Sequence, residues 1–291
     1  MSVAVAENVE AWSGKDRGAE NFPVGSRLIR PDLRRHVHAF YDFARNADDI
    51  ADSPDLAADD KIARLDVMEA VLLGWRDAGS PSALGLRRSL AETAVDPAHS
   101  RDLLRAFRQD AVKARYASWD ELLEYCRFSA MPVGRHVLAL HGEGPGCLPA
   151  SDALCAVLQV LNHLQDLARD LRQLDRCYLP LDWLGEAGAT VEDVRAPAAT
   201  PGLRRVIDRL LDECDRLNAQ AAALPGAVRD RRLRLETAVI AALSRRLARR
   251  LRRGDPLATR VKLRRTDVAG SLLAACLHLR RPSGQGGGKR W

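Results

Sequence analysis

Three oxygen-bearing side chains interrupt the most apolar stretch of this 291-residue chain. Between Cys155 and Leu164, residues Cys155, Ala156, Val157, Leu158, Val160, Leu161 and Leu164 cover every side of a helix, so burial nearly all round is expected. Asn162, Asp166 and Asp170 follow at i, i+4 and i+8. At ~100° per residue each step drifts by about 40°, which keeps all three on one stripe with Cys155 and Leu158. A carboxylate that continues an apolar stripe cannot be left dehydrated and unpaired, so it must meet a cation, a cavity or both. A second stretch, Leu33 to Asp52, repeats the pattern: Val37, Tyr41, Ala44, Asp48 and Asp52 fall close to one line. If the two stripes face each other, their acidic ends make an oxygen-rich site beside an apolar trough. Such a site suits Mg2+ with a long-chain diphosphate, because Mg2+ takes hard oxygen ligands and completes its shell with water and phosphate.

Taken singly, Asp48 and Asp52 describe a common solvated helix face; the apolar neighbours on the same face argue otherwise. Arg45 has two readings, a diphosphate contact or a weak surface pair with Asp49 at i+4. His36, His38, His136, His141 and His163 show no zinc spacing, and neither a P-loop nor a G-x-S-x-G turn occurs. Pro132 and Gly134 interrupt an otherwise helical run, a kink at the first and room for a close backbone approach at the second.

The elements that must position these groups are helices. Ala, Leu, Arg, Asp and Glu abound and alternating β-branched runs are missing, which predicts an all-α chain. Helices are expected over Leu33 to Asp52, Ala58 to Gly74, Ala83 to Ala94, Ser100 to Tyr116, Ser118 to His141, an opening cap at Ser151 or Asp152 up to Pro180, Leu203 to Leu224, Arg229 to Arg253 and Asp267 to Leu279. Residues 1–18 are expected to be loose, 19–281 to form a single domain and 282–291 to be a disordered tail. Lys and Arg number 45 against 39 Asp and Glu, a net charge of +6. Within the run LSRRLARRLRR, Leu243, Leu247 and Leu251 back a row of arginines, a pattern shared by core helices and by helices that lie on anionic membranes. Nucleic acid is disfavoured, since no aromatic interleaving accompanies the charge. The six cysteines form no C-x-x-C pair and no signal-peptide or spanning segment is evident, which points to reduced thiols in a cytoplasmic protein, peripheral to the inner membrane surface if it touches one.

DDIAD at Asp48 to Asp52, NHLQDLARD at Asn162 to Asp170 and DRCYLP at Asp175 to Pro180 resemble the paired aspartate motifs of the squalene/phytoene synthase family, the head-to-head prenyl transferases. The resemblance runs from about Asn21 to Thr266. Within it, ENFPVGSRL at Glu20 to Leu28 and RQDAVKARYASWDELLEYCRFSAMPVGR at Arg108 to Arg135 look most like the hydroxysqualene synthase branch of hopanoid pathways. The resemblance implies an isoprenoid synthase helical bundle with a central cavity and Mg2+ as cofactor. Asp48, Asp52, Asn162, Asp166 and Asp170 would carry the metal and the catalysis. Phe22, Tyr41, Arg45, Tyr125, Val133, Gly134, Gln165, Arg176 and Tyr178 would meet the substrate. The implied reaction turns presqualene diphosphate into hydroxysqualene with loss of diphosphate. Alternatives are condensation of two prenyl diphosphates such as farnesyl diphosphate, and a non-catalytic lipid-binding or assembly relative. Partners would be the enzymes before and after this step in the squalene pathway. Gln165 stands where many relatives carry arginine, and Glu20-Asn21 replaces the hydroxyl-rich segment before Phe22 in other members.

Overall fold

Polar gaps and prolines divide the chain into helices whose apolar faces set the architecture. The structure, a computed structural model, describes residues 8–10 and 28–280. Among them are α1 (Arg34–Asp52), α2 (Ala58–Leu72), α3 (Pro81–Thr93), α4 (Ala98–Asp110), α5 (Trp119–Ser129), α6 (Met131–Leu140), α7 (Leu148–Leu174), α8 (Leu181–Glu186), α9 (Pro201–Ala221), α10 (Leu224–Ala227), α11 (Arg231–Arg253) and α12 (Arg265–Arg280). Among the described residues the fold is all-α apart from one short parallel pair, β1 (Arg115–Tyr116) with β2 (Cys177–Pro180), and an isolated parallel bridge between Asn8 and Gly79. The expectations for Phe22, for the segment around Glu20 and for the tail over 282–291 lie outside the described residues.

Local chemistry explains most boundaries. The Ser80, Ser118 and Thr200 hydroxyls accept from Ala83, Glu121 and Leu203 N–H at 3.1, 3.3 and 3.2 Å, and Asp230 caps α11 the same way. Three expectations need correction. The run from Ser118 to His141 is two helices, because Pro132 cannot continue α5 and Ala130 leaves helical geometry (φ −127°, ψ −48°). Helix α7 begins at Leu148, so Ser151 lies inside it, and Asp152 holds Arg135 in a two-bond pair at 2.8 and 2.7 Å. Helix α4 stops at Asp110, and the chain leaves it as β1, with Cys177 N–H donating to Ala114 O at 3.0 Å. At the other end of β2's approach, Asp175 takes the left-handed conformation (φ 51°) that closes α7.

Among the described residues two large apolar cores result, with a smaller cluster of Val239, Leu243 and Ala275 where α12 packs on α11. One gathers α1 to α4 around Phe43, Ile50, Leu65, Met68 and Leu104; the other surrounds α7, where Leu161 and Leu164 share a cluster with Ile207, Leu211 and Leu247 from α9 and α11. Helix α7, packed by α6, α9 and α11, is the central element. Residues 145–174 are long and apolar enough to cross a membrane by composition, contrary to the sequence expectation, but this is the core helix and 61% of the apolar window is buried. Residues 8–10 are not loose: Val9 is buried and donates to Gly79 O at 2.9 Å. Cys126, Cys147, Cys155, Cys177 and Cys214 are free thiols.

Candidate active site

Where the two cores meet, a cavity of about 750 Å³ opens between α1 and α7. Helix α1 contributes Arg45, Asp48 and Asp52, and α7 contributes Asn162, His163, Asp166, Arg169 and Asp170. Phe107 and Asp110 of α4 and Tyr125 of α5 close one side, with Arg176 from the α7–β2 turn and Tyr178 of β2. The five acidic and amide positions singled out by spacing therefore look into one space.

Its electrostatics are those of carboxylates held by arginines that do not fully offset them. Arg45 pairs with Asp48 at 3.0 Å and with Asp49, which is buried, so this pair is an interior contact and not a surface one. Arg176, itself buried, holds Asp52 at 2.5 Å and donates to the carbonyls of Ala51 and Asp110, each at 3.0 Å. Arg169 bridges Asp166 and Asp170 at 2.8 and 3.4 Å, and Arg260 approaches Asp166 at 3.5 Å. Even so, burial pushes the Asp110 carboxyl up to about 7 against the pull of Arg176 and Tyr125. Burial does the same to Asp170, also to about 7, with Asp166 adding to it and Arg169 opposing. Asp48 is pushed up as well, by burial first and by the Asp52 charge second.

This donor set fits Mg2+. The arginines only partly offset the carboxylates, whose hard oxygens are the donors Mg2+ takes. Among the described residues no three His, Cys, Asp or Glu side chains converge into a ready-made cage. Mg2+ needs no such cage, since one or two carboxylates would hold it with substrate phosphate and water supplying the rest. Asp48 and Asp52 on one side, and Asn162, Asp166 and Asp170 on the other, would share it.

The far wall is aromatic. The Tyr125 hydroxyl donates to Asp110 at 2.8 Å, and Tyr178 stacks on His163 with centroids 3.6 Å apart and Tyr116 behind it. Burial lowers His163 to about 3, so its ring is neutral and adds no positive charge near the aromatic faces.

Other predicted positions lie elsewhere. Tyr41 is half-buried on α1 but does not line the cavity. Val133 is 41% exposed on α6 and does not line the cavity. Gly134 is a packing position: a Cβ there would stand 2.5 Å from Ser151 Oγ and 2.6 Å from Cys155 Sγ of α7. Gln165 turns away and donates to Val261 O at 2.7 Å. The cation next to the second acidic motif is instead Arg169. Sequence reasoning missed Asp110, Arg169, Phe107 and His163. For Asp110 the signal existed, because Leu103, Phe107 and Asp110 repeat the acid-ended apolar stripe of α1 and α7.

Residues 15–267 match the family model described as squalene/phytoene synthase. The chain is 48% identical over 255 residues to a hydroxysqualene synthase of Rhodopseudomonas palustris, a match spanning 88% of this chain and 87% of that protein. It is 41% identical over 265 residues to the hydroxysqualene synthase of Zymomonas mobilis, spanning 90% and 89%. Among solved structures, squalene synthase HpnC from Alicyclobacillus acidocaldarius superimposes with a TM-score of 0.72 at 34% identity, over 81% of this chain and 90% of that one. A dehydrosqualene synthase superimposes with a TM-score of 0.78 at 21% identity, over 90% and 92%, a likeness of fold.

Proposed function

Because this chain belongs to the squalene/phytoene synthase family, we propose that it converts presqualene diphosphate to hydroxysqualene with release of diphosphate, a Mg2+-dependent step of hopanoid biosynthesis. The observation that carries the reading is the single cavity lined by both acidic rows, by arginines and by aromatic faces. The chemistry follows from the lining. When bound, Mg2+ neutralises the diphosphate and makes it a better leaving group. Arg45 and Arg169 lie at the rims of the two acidic rows, where their guanidinium groups can take phosphate oxygens by bidentate hydrogen bonds. The C–O bond breaks with its electron pair departing on the diphosphate, and the carbocation left behind faces Tyr125, Tyr178 and Phe107, whose ring faces stabilise positive charge. The rearranged cation takes a water oxygen and loses one proton to give the alcohol.

The test is product analysis by mass spectrometry after incubating purified protein and Mg2+ with presqualene diphosphate, and separately with farnesyl diphosphate. Hydroxysqualene is expected from the first and no turnover from the second alone. The squalene synthase name of the solved relative favours a second reading, head-to-head condensation of two prenyl diphosphates; consumption of farnesyl diphosphate alone would establish it in place of the first. Under either reading, Asp52→Asn and Asp166→Asn are each expected to lower turnover by about a hundredfold to a thousandfold. Their circular dichroism should stay that of the parent.

A further inference from the structure

A second cavity of about 750 Å³ lies between α11, the segment over 255–264 and α12, and most of the residues lining it are cationic. Arg246, Arg249, Arg250 and Arg253 project from α11 at i, i+3, i+4 and i+7. Arg260, Lys262 and Arg264 form the opposite wall. Among the described residues of the lining one carboxylate, Asp267, stands against these seven cations, and it is already engaged: Arg250 at 2.7 Å, Arg246 at 3.7 Å and the Arg264 N–H at 2.8 Å, while Arg260 also meets Asp166 of the acidic cavity at 3.5 Å. The cavity is thus short of negative charge on a scale that a single side chain does not supply.

Beside it, α12 is apolar on nearly every side. From Val268 to Leu279 only Ser271 and His278 carry polar side chains. A helix of that kind is expected to be buried all round. Yet among its described side chains Asp267, Ser271 and Ala275 are buried along one edge, while Val268, Leu272 and Leu273 are 45%, 40% and 63% exposed. Arginines beside a helix with exposed valine and leucines is the composition of segments that lie in a membrane interface, with cations among headgroup phosphates and apolar side chains below them.

We propose that this face seats the protein on an anionic phospholipid surface, headgroup phosphates occupying the basic cavity while Val268, Leu272 and Leu273 enter the interface. Charge and apolarity together select this occupant. Nucleic acid offers phosphates but nothing for the leucines, and a second copy meeting the same face would bring seven more cations against the first seven. The same segment also walls the acidic cavity, through Arg260 with Asp166 at 3.5 Å and through Val261 O with Gln165 at 2.7 Å. The docked face and the acidic site are therefore two sides of one stretch of chain.

The experiment is co-sedimentation of the full chain with phosphatidylcholine vesicles, with and without phosphatidylglycerol. Binding at least about tenfold tighter to the anionic vesicles, and falling steeply with salt, is expected. The triple variant Arg249→Glu/Arg253→Glu/Lys262→Glu should lose that increment, and Leu272→Ser/Leu273→Ser should weaken binding at unchanged salt dependence, both with the parent's helical circular dichroism. Equal binding to neutral vesicles, no binding to either, or unaltered binding by the variants would overturn the proposal. So would displacement by soluble glycerol phosphate at matched ionic strength, which would mark a site for a free phosphate. Self-association or DNA binding through these residues in the absence of vesicle binding would overturn it equally.

Discussion

Arg176 is nearly enclosed, and its guanidinium ties Asp52 of α1 to the carbonyl that ends α4. Breaking a buried charge pair from one side leaves the other charge unpaired, so Arg176→Met is expected to cost about 3 kcal/mol, read as a lower urea midpoint. Asp110 behaves differently. Its carboxyl rises from 3.8 to about 7 on folding because burial outweighs Arg176 and Tyr125. The folded state therefore holds this proton more tightly than the unfolded one, and the stability it contributes is present below pH 3.8 and is lost as pH rises through 7. Asp110→Asn keeps the neutral shape at every pH. The variant should gain on the parent between pH 4 and 7 by up to about 1.4 kcal/mol per pH unit and no further above it, measured as paired melting curves. That Asp110 belongs to the site was readable from Leu103 and Phe107 on its face; that Tyr125 would donate to it was not, since α5 meets α4 only in the folded chain.

At the scale of elements, the contact between α6 and α7 rests on the absence of a side chain at Gly134. An added Cβ would meet Ser151 Oγ and Cys155 Sγ at 2.5 and 2.6 Å. Gly134→Ala is expected to lower stability by about 1–3 kcal/mol through overpacking. The same change made with Ser151→Ala and Cys155→Ala should recover most of the loss, which thermal denaturation of the four combinations would show. The sequence reading rightly marked this glycine as a place of close approach, and the helix that approaches turned out to be α7 itself. It also read a kink at Pro132 where the chain in fact ends one helix and starts another. A proline states that a hydrogen bond is missing; whether the helix bends or breaks is decided by what packs on either side.

For the whole molecule, the acidic cavity is a joint between two cores, and its carboxylates repel one another across it. Mg2+ with inorganic diphosphate should therefore raise the melting temperature, by an amount equivalent to about 2.7 kcal/mol at a hundredfold excess over the dissociation constant, and Asp52→Asn should abolish the rise. Magnesium without diphosphate should give the smaller effect, since phosphate oxygens complete its shell. The sequence by itself determined that the chain is helical and that two helices end their apolar stripes in carboxylates. Both facts follow from helical periodicity, which is local geometry that no distant contact alters. Only the tertiary structure decided that the two stripes face one cavity and that Arg169, Arg176 and Arg260 restrain them. It also decided that Gln165 turns away to Val261, 96 residues further along the chain. Such pairings depend on how separate helices cross, and side-chain spacing within one helix carries no record of which helix lies opposite.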